Sequence, residues 1–284
     1  MDDLPLWPRS YPPSPYTVAG IVRAIEEALD EHGIRGVYAF CNSWPLEPNP
    51  EFTTVLDGWV AAGHHVANHT HSHIPLPEMS AETFIDDVAL AEERLAHWLS
   101  RAPLKLFRHP HCEWGETPEK LAAVNTFLAS RGLTTVDVTS WAYEWTFNRA
   151  YRNALDSDDV RSRSFIIESF LDFAAAQLRH DMEWAERWFG GPIVGIALAH
   201  TVPFFADVAP RYFARLRAEG VEFVSLEEAL DGPAQRAVGT VVSHEFLVLQ
   251  QKLAHAAGVP QPQLPDASRE LFATITGMAR GQTG

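Results

Sequence analysis

Val18, Ile21, Ile25 and Leu29 fall three or four residues apart, the spacing that lines one face of a helix. Thr17 before them is a capping residue and Gly33 after them is a stop, so a helix is predicted to about His32. The unbroken apolar run "GVYAFC" (36–41) predicts a buried strand. Residues 51–62 read as helix, and "HHVANH" (64–69) as the next strand. Ser80 caps a predicted helix to about Leu99, with Phe84, Val88, Ala91, Leu95 and Trp98 as its apolar series. The same alternation continues through "LKLFRHP" (104–110, strand), Pro118 to Arg131 (helix) and "LTTVDVTSW" (133–141, strand). A long amphipathic helix is predicted over about 157–189, with Ile166, Phe170, Phe173, Leu178, Met182 and Ala185 facing the core. "IVGIALAH" (193–200) reads as a fully buried parallel strand, followed by a helix over about 207–219 and a strand at "VEFVSL" (221–226).

Strand and helix in regular alternation predict an α/β fold with parallel strands, most simply a barrel. The expected catalytic domain spans residues 1–232, with residues 233–284 as a Pro-punctuated helical appendage. Residues 4–16 contain five prolines and are predicted to be an extended loop. An acidic pair, Asp2-Asp3, follows Met1 directly, which leaves no length for a first strand ahead of it. The expectation is therefore a missing or truncated first strand, supplied in the native protein by an apolar segment upstream. A leader before that segment would place the protein outside the cytoplasm. The sequence in hand shows no signal peptide.

Composition narrows the function classes. The formal charge of −15, with no cluster of Lys or Arg, argues against nucleic acid or an anionic membrane surface. No apolar run is long enough to span a membrane. Cys41 and Cys112 are too few for a disulfide framework and read as buried thiols. No pattern specifies an oligomeric state.

The chemistry concentrates in "NHTHSH" (68–73), with histidines at 69, 71 and 73. His69 and His71 form an HxH pair whose rings share one side of a strand. His69 and His73 form an HxxxH pair that can share one ion from a tight loop. A catalytic zinc takes three protein ligands and leaves a position for water. The Asp2-Asp3 pair offers one acid to complete the set and one to accept a proton. In parallel barrels the active site gathers at the carboxyl ends of strands. His69, Arg108, Asp137, Trp141 and His200 all fall at or just after predicted strand ends.

These residues resemble a known family. Asp2-Asp3-Leu4-Pro5, His69-Thr70-His71-Ser72-His73, Phe107-Arg108-His109-Pro110, Asp137 with Trp141, and Leu198-Ala199-His200 are similar, in order and spacing, to the five motifs of the NodB-homology polysaccharide deacetylases. The resemblance covers about residues 2–230 and implies a distorted (β/α) barrel. It also implies hydrolysis of an N-acetyl group on an amino-sugar polymer or oligomer, or a small amide, with Zn2+ or another divalent cation. Carried over by position, it makes Asp3, His69 and His73 the metal ligands and Asp2 the general base. Arg108 would orient that base, and His200 would be the general acid. Asp137 would support the network, and Trp141, Pro110 and Leu198 would line the substrate pocket. One departure matters: the residue before Trp141, often acidic in this branch, is Ser140. If the missing acid tunes His200, Asp137 must serve instead. Two other readings stand at this point. One is a PHP or amidohydrolase-like hydrolase using His69 and His71, and the other is an inactive relative that binds glycans, which the nine tryptophans permit.

Overall fold

The computed structural model describes residues 1–7 and 10–281. Five parallel strands lie side by side in chain order: β1 (Asp2–Leu4), β2 (Tyr38–Cys41), β3 (His65–Asn68), β4 (Leu106–Phe107) and β5 (Thr134–Thr135). A second parallel pair, β6 (Ser140–Trp141) and β7 (Ala197–Leu198), continues the curve. A bridge between Asp2 and His200 brings that pair back toward β1. The result is an α/β barrel that is distorted and not fully closed. The first strand is present, spans three residues and is paired. Met1 carbonyl accepts from Phe40 N–H at 2.9 Å, and Asp2 N–H donates to Ala199 carbonyl at 2.9 Å.

Helices cover the outside. In α1 (Val18–Glu31) the Thr17 side chain accepts from Gly20 N–H, and Ile21, Ile25 and Leu29 are buried, as the spacing predicts. α2 (Thr53–Ala61) and α5 (Pro118–Ser130) also fall where expected. The helix predicted from Ser80 to Leu99 breaks at Leu95 into α3 (Ala81–Arg94) and α4 (Ala96–Leu99). A further helix, α6 (Glu144–Asp156), precedes the long α7 (Val160–Phe189) and was not predicted. Its buried positions Phe147, Ala150, Tyr151 and Ala154 keep helical spacing, but the surrounding polar residues dilute that signal. The predicted strand 133–141 is two short strands, and "VEFVSL" forms no strand, its last residue opening α9 (Leu226–Leu230). α8 (Pro203–Ala218) packs against α1.

The segment beyond residue 233 packs against the barrel and reaches the strand ends. α10 (Leu249–Ala256) carries Lys252, whose ammonium is buried against the Asp137 carboxylate and lies 4.3 Å from the centre of the Trp114 ring. Gln250 Nε2 donates to the carbonyls of Thr139 (2.8 Å) and Asp181 (3.2 Å). α11 (Asp266–Ala279) seats Phe272 against Tyr143 and Phe173 and buries Ile275. Among the described residues, no helix is long and apolar enough to cross a membrane.

Candidate metal centre

Adjacent residues on a regular strand point to opposite faces, so Asp2 and Asp3 could not normally serve one site. The chain solves this with a bulge. The register slips between Asp2 and Leu4 opposite β2, and Asp3 takes a left-handed φ of 63°. Thr201 Oγ1 holds the bulge by donating to Asp3 carbonyl at 2.8 Å. Both carboxylates are thereby buried on the same side, at the end where β3, β4 and β7 terminate.

The loop after β3 folds back on itself through two more left-handed residues, Thr70 (φ 68°) and His73 (φ 59°). Asn68 Oδ1 accepts from Thr70 N–H, Thr70 Oγ1 accepts from His73 N–H, and Asp87 of α3 accepts from Ser72. Backbone conformations of this kind persist only where the surroundings enforce them, and they concentrate at functional sites. Their effect is to bring the rings of His69 and His73 to 4.8 Å between centroids. His71 turns the other way, with Nδ1 2.8 Å from Ser43 Oγ. The HxH reading therefore loses its geometry.

Asp3, His69 and His73 offer three ligand atoms within 4.8 Å of one another, all on buried residues. His73 Nε2 lies 3.2 Å and His69 Nε2 3.8 Å from Asp3 Oδ1. His69 Nδ1–H donates to Arg108 carbonyl at 2.8 Å, which leaves the Nε2 lone pair facing the cluster. Burial depresses the pKa of His69 to about 4 and that of His73 well below its ordinary value, so both rings are neutral. Burial pushes the Asp3 carboxyl up to about 7, and neither of its oxygens has a hydrogen-bond partner. Two neutral imidazoles and a buried carboxylate free of hydrogen bonds fit a divalent cation of the zinc type.

Two ion pairs flank the cluster. Arg108, immediately after β4, donates from Nη1 to Asp2 Oδ1 at 2.5 Å, while its Nε donates to Val136 carbonyl. Burial opposes ionisation of Asp2, but the Arg108 guanidinium beside it leads the charges that outweigh burial and hold the pKa below the usual value. On the other flank, His200 Nδ1 donates to Glu144 Oε1, and its Nε2 lies 3.9 Å from Asp3 Oδ2. Burial lowers the His200 pKa, yet Glu144, with help from Asp3 and Asp2, raises it to about 9.

Glu144 is the residue that sequence reasoning missed, and Asp137 is not its equivalent. Asp137 accepts from Lys252 and from Val138 N–H, so its charge is committed to the α10 anchor. Ser140 faces α7, where its hydroxyl donates to Asp181 Oδ2 at 2.8 Å. Glu144 occupies the first turn of α6 and is buried after Tyr143, a left-handed residue (φ 54°) that sets the entry angle. Trp141 packs on Tyr143 and Phe246, with its ring centre 6.1 Å from that of His200. Leu198 is buried in a cluster with Cys112, Val138 and Val248, and Pro110 is buried at the start of a short 3-10 turn. His109 is held neutral between Phe84 and Phe107.

Residues 3–127 match the sequence pattern of the family described as polysaccharide deacetylase. A search of curated proteins found no match. Among solved structures, the chain is similar to the polysaccharide deacetylase Bc1974 of Bacillus cereus, with a TM-score of 0.50 and 17% identity over 79% of this chain and 88% of that one. It is also similar to a CE4 family pseudoenzyme of Bacillus anthracis, with a TM-score of 0.52 and 15% identity over 75% of this chain and 61% of that one. A family 4 carbohydrate esterase of Streptomyces lividans aligns at a TM-score of 0.49 and 20% identity over 81% and 92% of the two chains. The family resemblance drawn from the motifs is borne out over the matched residues, and the distorted α/β barrel is shared. One fold-mate is a pseudoenzyme, so activity has to be argued from the side chains.

Proposed function

We propose that this protein is a divalent-cation-dependent hydrolase that removes acetyl groups from N-acetylated amino sugars. One observation carries the reading: the buried Asp3–His69–His73 cluster stands between a carboxylate held ionised, Asp2, and an imidazole held protonated, His200. Amide hydrolysis needs that combination, because water must lose a proton on one side and the departing nitrogen must gain one on the other. The polysaccharide deacetylase match over residues 3–127 supports the same chemistry.

A cation bound by Asp3, His69 and His73 supplies Lewis acidity, polarising the acyl oxygen and lowering the pKa of a water. Asp2 is the proton acceptor. Its Oδ1 is committed to Arg108, which leaves Oδ2, 3.7 Å from His69 Nε2, as the oxygen nearest the cluster. As water oxygen bonds to the acyl carbon, its proton passes to Asp2. His200 Nε2–H then protonates the nitrogen as the carbon–nitrogen bond breaks, releasing acetate and a free amine. Glu144 accepts from Nδ1–H and so stabilises the protonated ring, which leaves Nε2–H as the proton that His200 can give up. His71, on Ser43, takes no part.

The test is product analysis. The cation-loaded protein is incubated with N-acetylated hexosamines, their oligomers and O-acetylated esters, and both acetate and free amine are measured. Equal amounts of the two products from the N-acetyl compounds are expected. Acetate from the esters alone, or from none of them, contradicts the assignment.

A further inference from the structure

The metal cluster is buried. Asp2, Asp3, His69, His73 and His200 are each 8% exposed or less. The molecule does contain a wide cavity, about 820 Å3, beside Met1, Val37, Ile196 and Leu226, but Asp3, His69, His73 and His200 do not line it. What stands over the cluster is a pair of indoles. Trp7, from the proline-rich loop, lies with its ring centre 4.5 Å from that of His73 and 5.4 Å from that of His111. Trp145, from the first turn of α6, lies 5.7 Å from His200. The two indoles stack on each other at 4.9 Å and 28°.

These contacts form a closed circuit: His73, Trp7, Trp145, His200 and, through its two carboxylate oxygens, Asp3. Centroid separations of 4.5–5.7 Å are van der Waals contact between rings, so no sugar fits between successive members. An internal residue of a polymer must have chain leaving the reaction centre in two directions. An arch anchored at both His73 and His200 blocks one of them. A group that enters end-on or side-on, with its acetamide leading, needs only one direction of approach. The indole faces would then pack on the apolar face of a single sugar ring, with little adjustment because each is already held by a partner ring.

Building on the deacetylase reading, we infer that the substrate is small or is attacked at its end: a monomeric or terminal N-acetyl amine, selected by Trp7 and Trp145. These two are specificity-determining residues and take no proton.

The experiment compares kcat/KM for N-acetylglucosamine with that for its β-1,4-linked pentamer and for insoluble acetylated polymer. The wild-type enzyme is expected to favour the monomer over the polymer by at least tenfold. Trp7→Ala and Trp145→Ala are each expected to narrow that ratio, by weakening the monomer and admitting the longer chain. Trp145→Phe, which keeps a ring, retains most of the preference and guards against a folding defect. Calorimetric binding of the monomer and of the reduced-end-blocked pentamer to the Asp2→Asn protein gives the same comparison without turnover. If no compound releases acetate, the deacetylase reading falls, and the arch is judged on that binding ratio. Wild-type protein that binds or hydrolyses internal sugars of the polymer as well as the monomer overturns the inference. Variants that leave the ratio unchanged also overturn it.

Discussion

Glu144 Oε1 accepts the Nδ1 proton of His200, a pairing made across 56 residues between the start of α6 and the end of β7. The contact fixes the imidazole tautomer and keeps the ring charged: the His200 pKa is raised to about 9. A group with a raised pKa is protonated below that value and loses its proton above it. Activity that needs protonated His200 is therefore present at neutral pH and falls away near pH 9. In Glu144→Gln the alkaline limb is expected to move down toward the ordinary histidine value of about 6.5. At pH 8 that change alone leaves roughly one ring in thirty protonated. Glu144→Asp retains the charge at shorter reach and falls between the two. A pH–rate profile measures this, and an alkaline limb unmoved in Glu144→Gln removes Glu144 from the mechanism.

The loop geometry after β3 predicts which histidines matter for the cation. His73→Ala takes away a ligand that lies 3.2 Å from Asp3, and bound metal is expected to drop sharply. His71→Ala disturbs only the Ser43 and Glu47 contacts and keeps the metal. Metal content of the two purified variants decides the matter, and the opposite pattern would restore the HxH reading.

Asp2 and Asp3 are neighbours with different tasks, and substitution separates them. Asp2→Asn keeps a group able to contact Arg108 but cannot take a proton. Its expected loss in kcat is about 10²–10⁴, with metal retained. Asp3→Asn is expected to lose metal first. Equal metal loss in both variants contradicts the division of labour.

The Lys252–Asp137 pair ties α10 to the segment between β5 and β6, with both side chains buried. Removing one partner strands a charge, which typically costs ~3–5 kcal/mol. Lys252→Met is therefore expected to lower the denaturation midpoint strongly. The double variant Lys252→Met/Asp137→Leu recovers much of the loss, because no charge is left unpaired. Unaltered stability in Lys252→Met argues that the pair is hydrated and unimportant.

The site was legible where chemistry follows the end of an apolar run. His69, Arg108 and His200 could be placed because a short apolar run precedes each. The acidic pair was legible as chemistry, but the bulge that turns both carboxylates inward was not, since a left-handed aspartate leaves no mark in a hydrophobic pattern. Ser140 stands where the resemblance led one to expect an acid, and its hydroxyl goes to Asp181. Nothing local named Glu144 as the replacement, because it lies on a helix whose periodicity is masked by polar residues. The Lys252 anchor spans 115 residues and was equally invisible. Contacts of this kind are fixed by tertiary packing, which spacing along a chain does not encode.

A titration of the metal-free protein with Zn2+, following acetate release from an N-acetylated amino sugar at each addition, tests the central claim most directly. Hydrolysis is expected to be absent at the start, to rise in proportion to added cation, and to level off at one equivalent per chain. Full acetate release without cation would contradict the account. So would a fully loaded Asp3–His69–His73 centre that releases none.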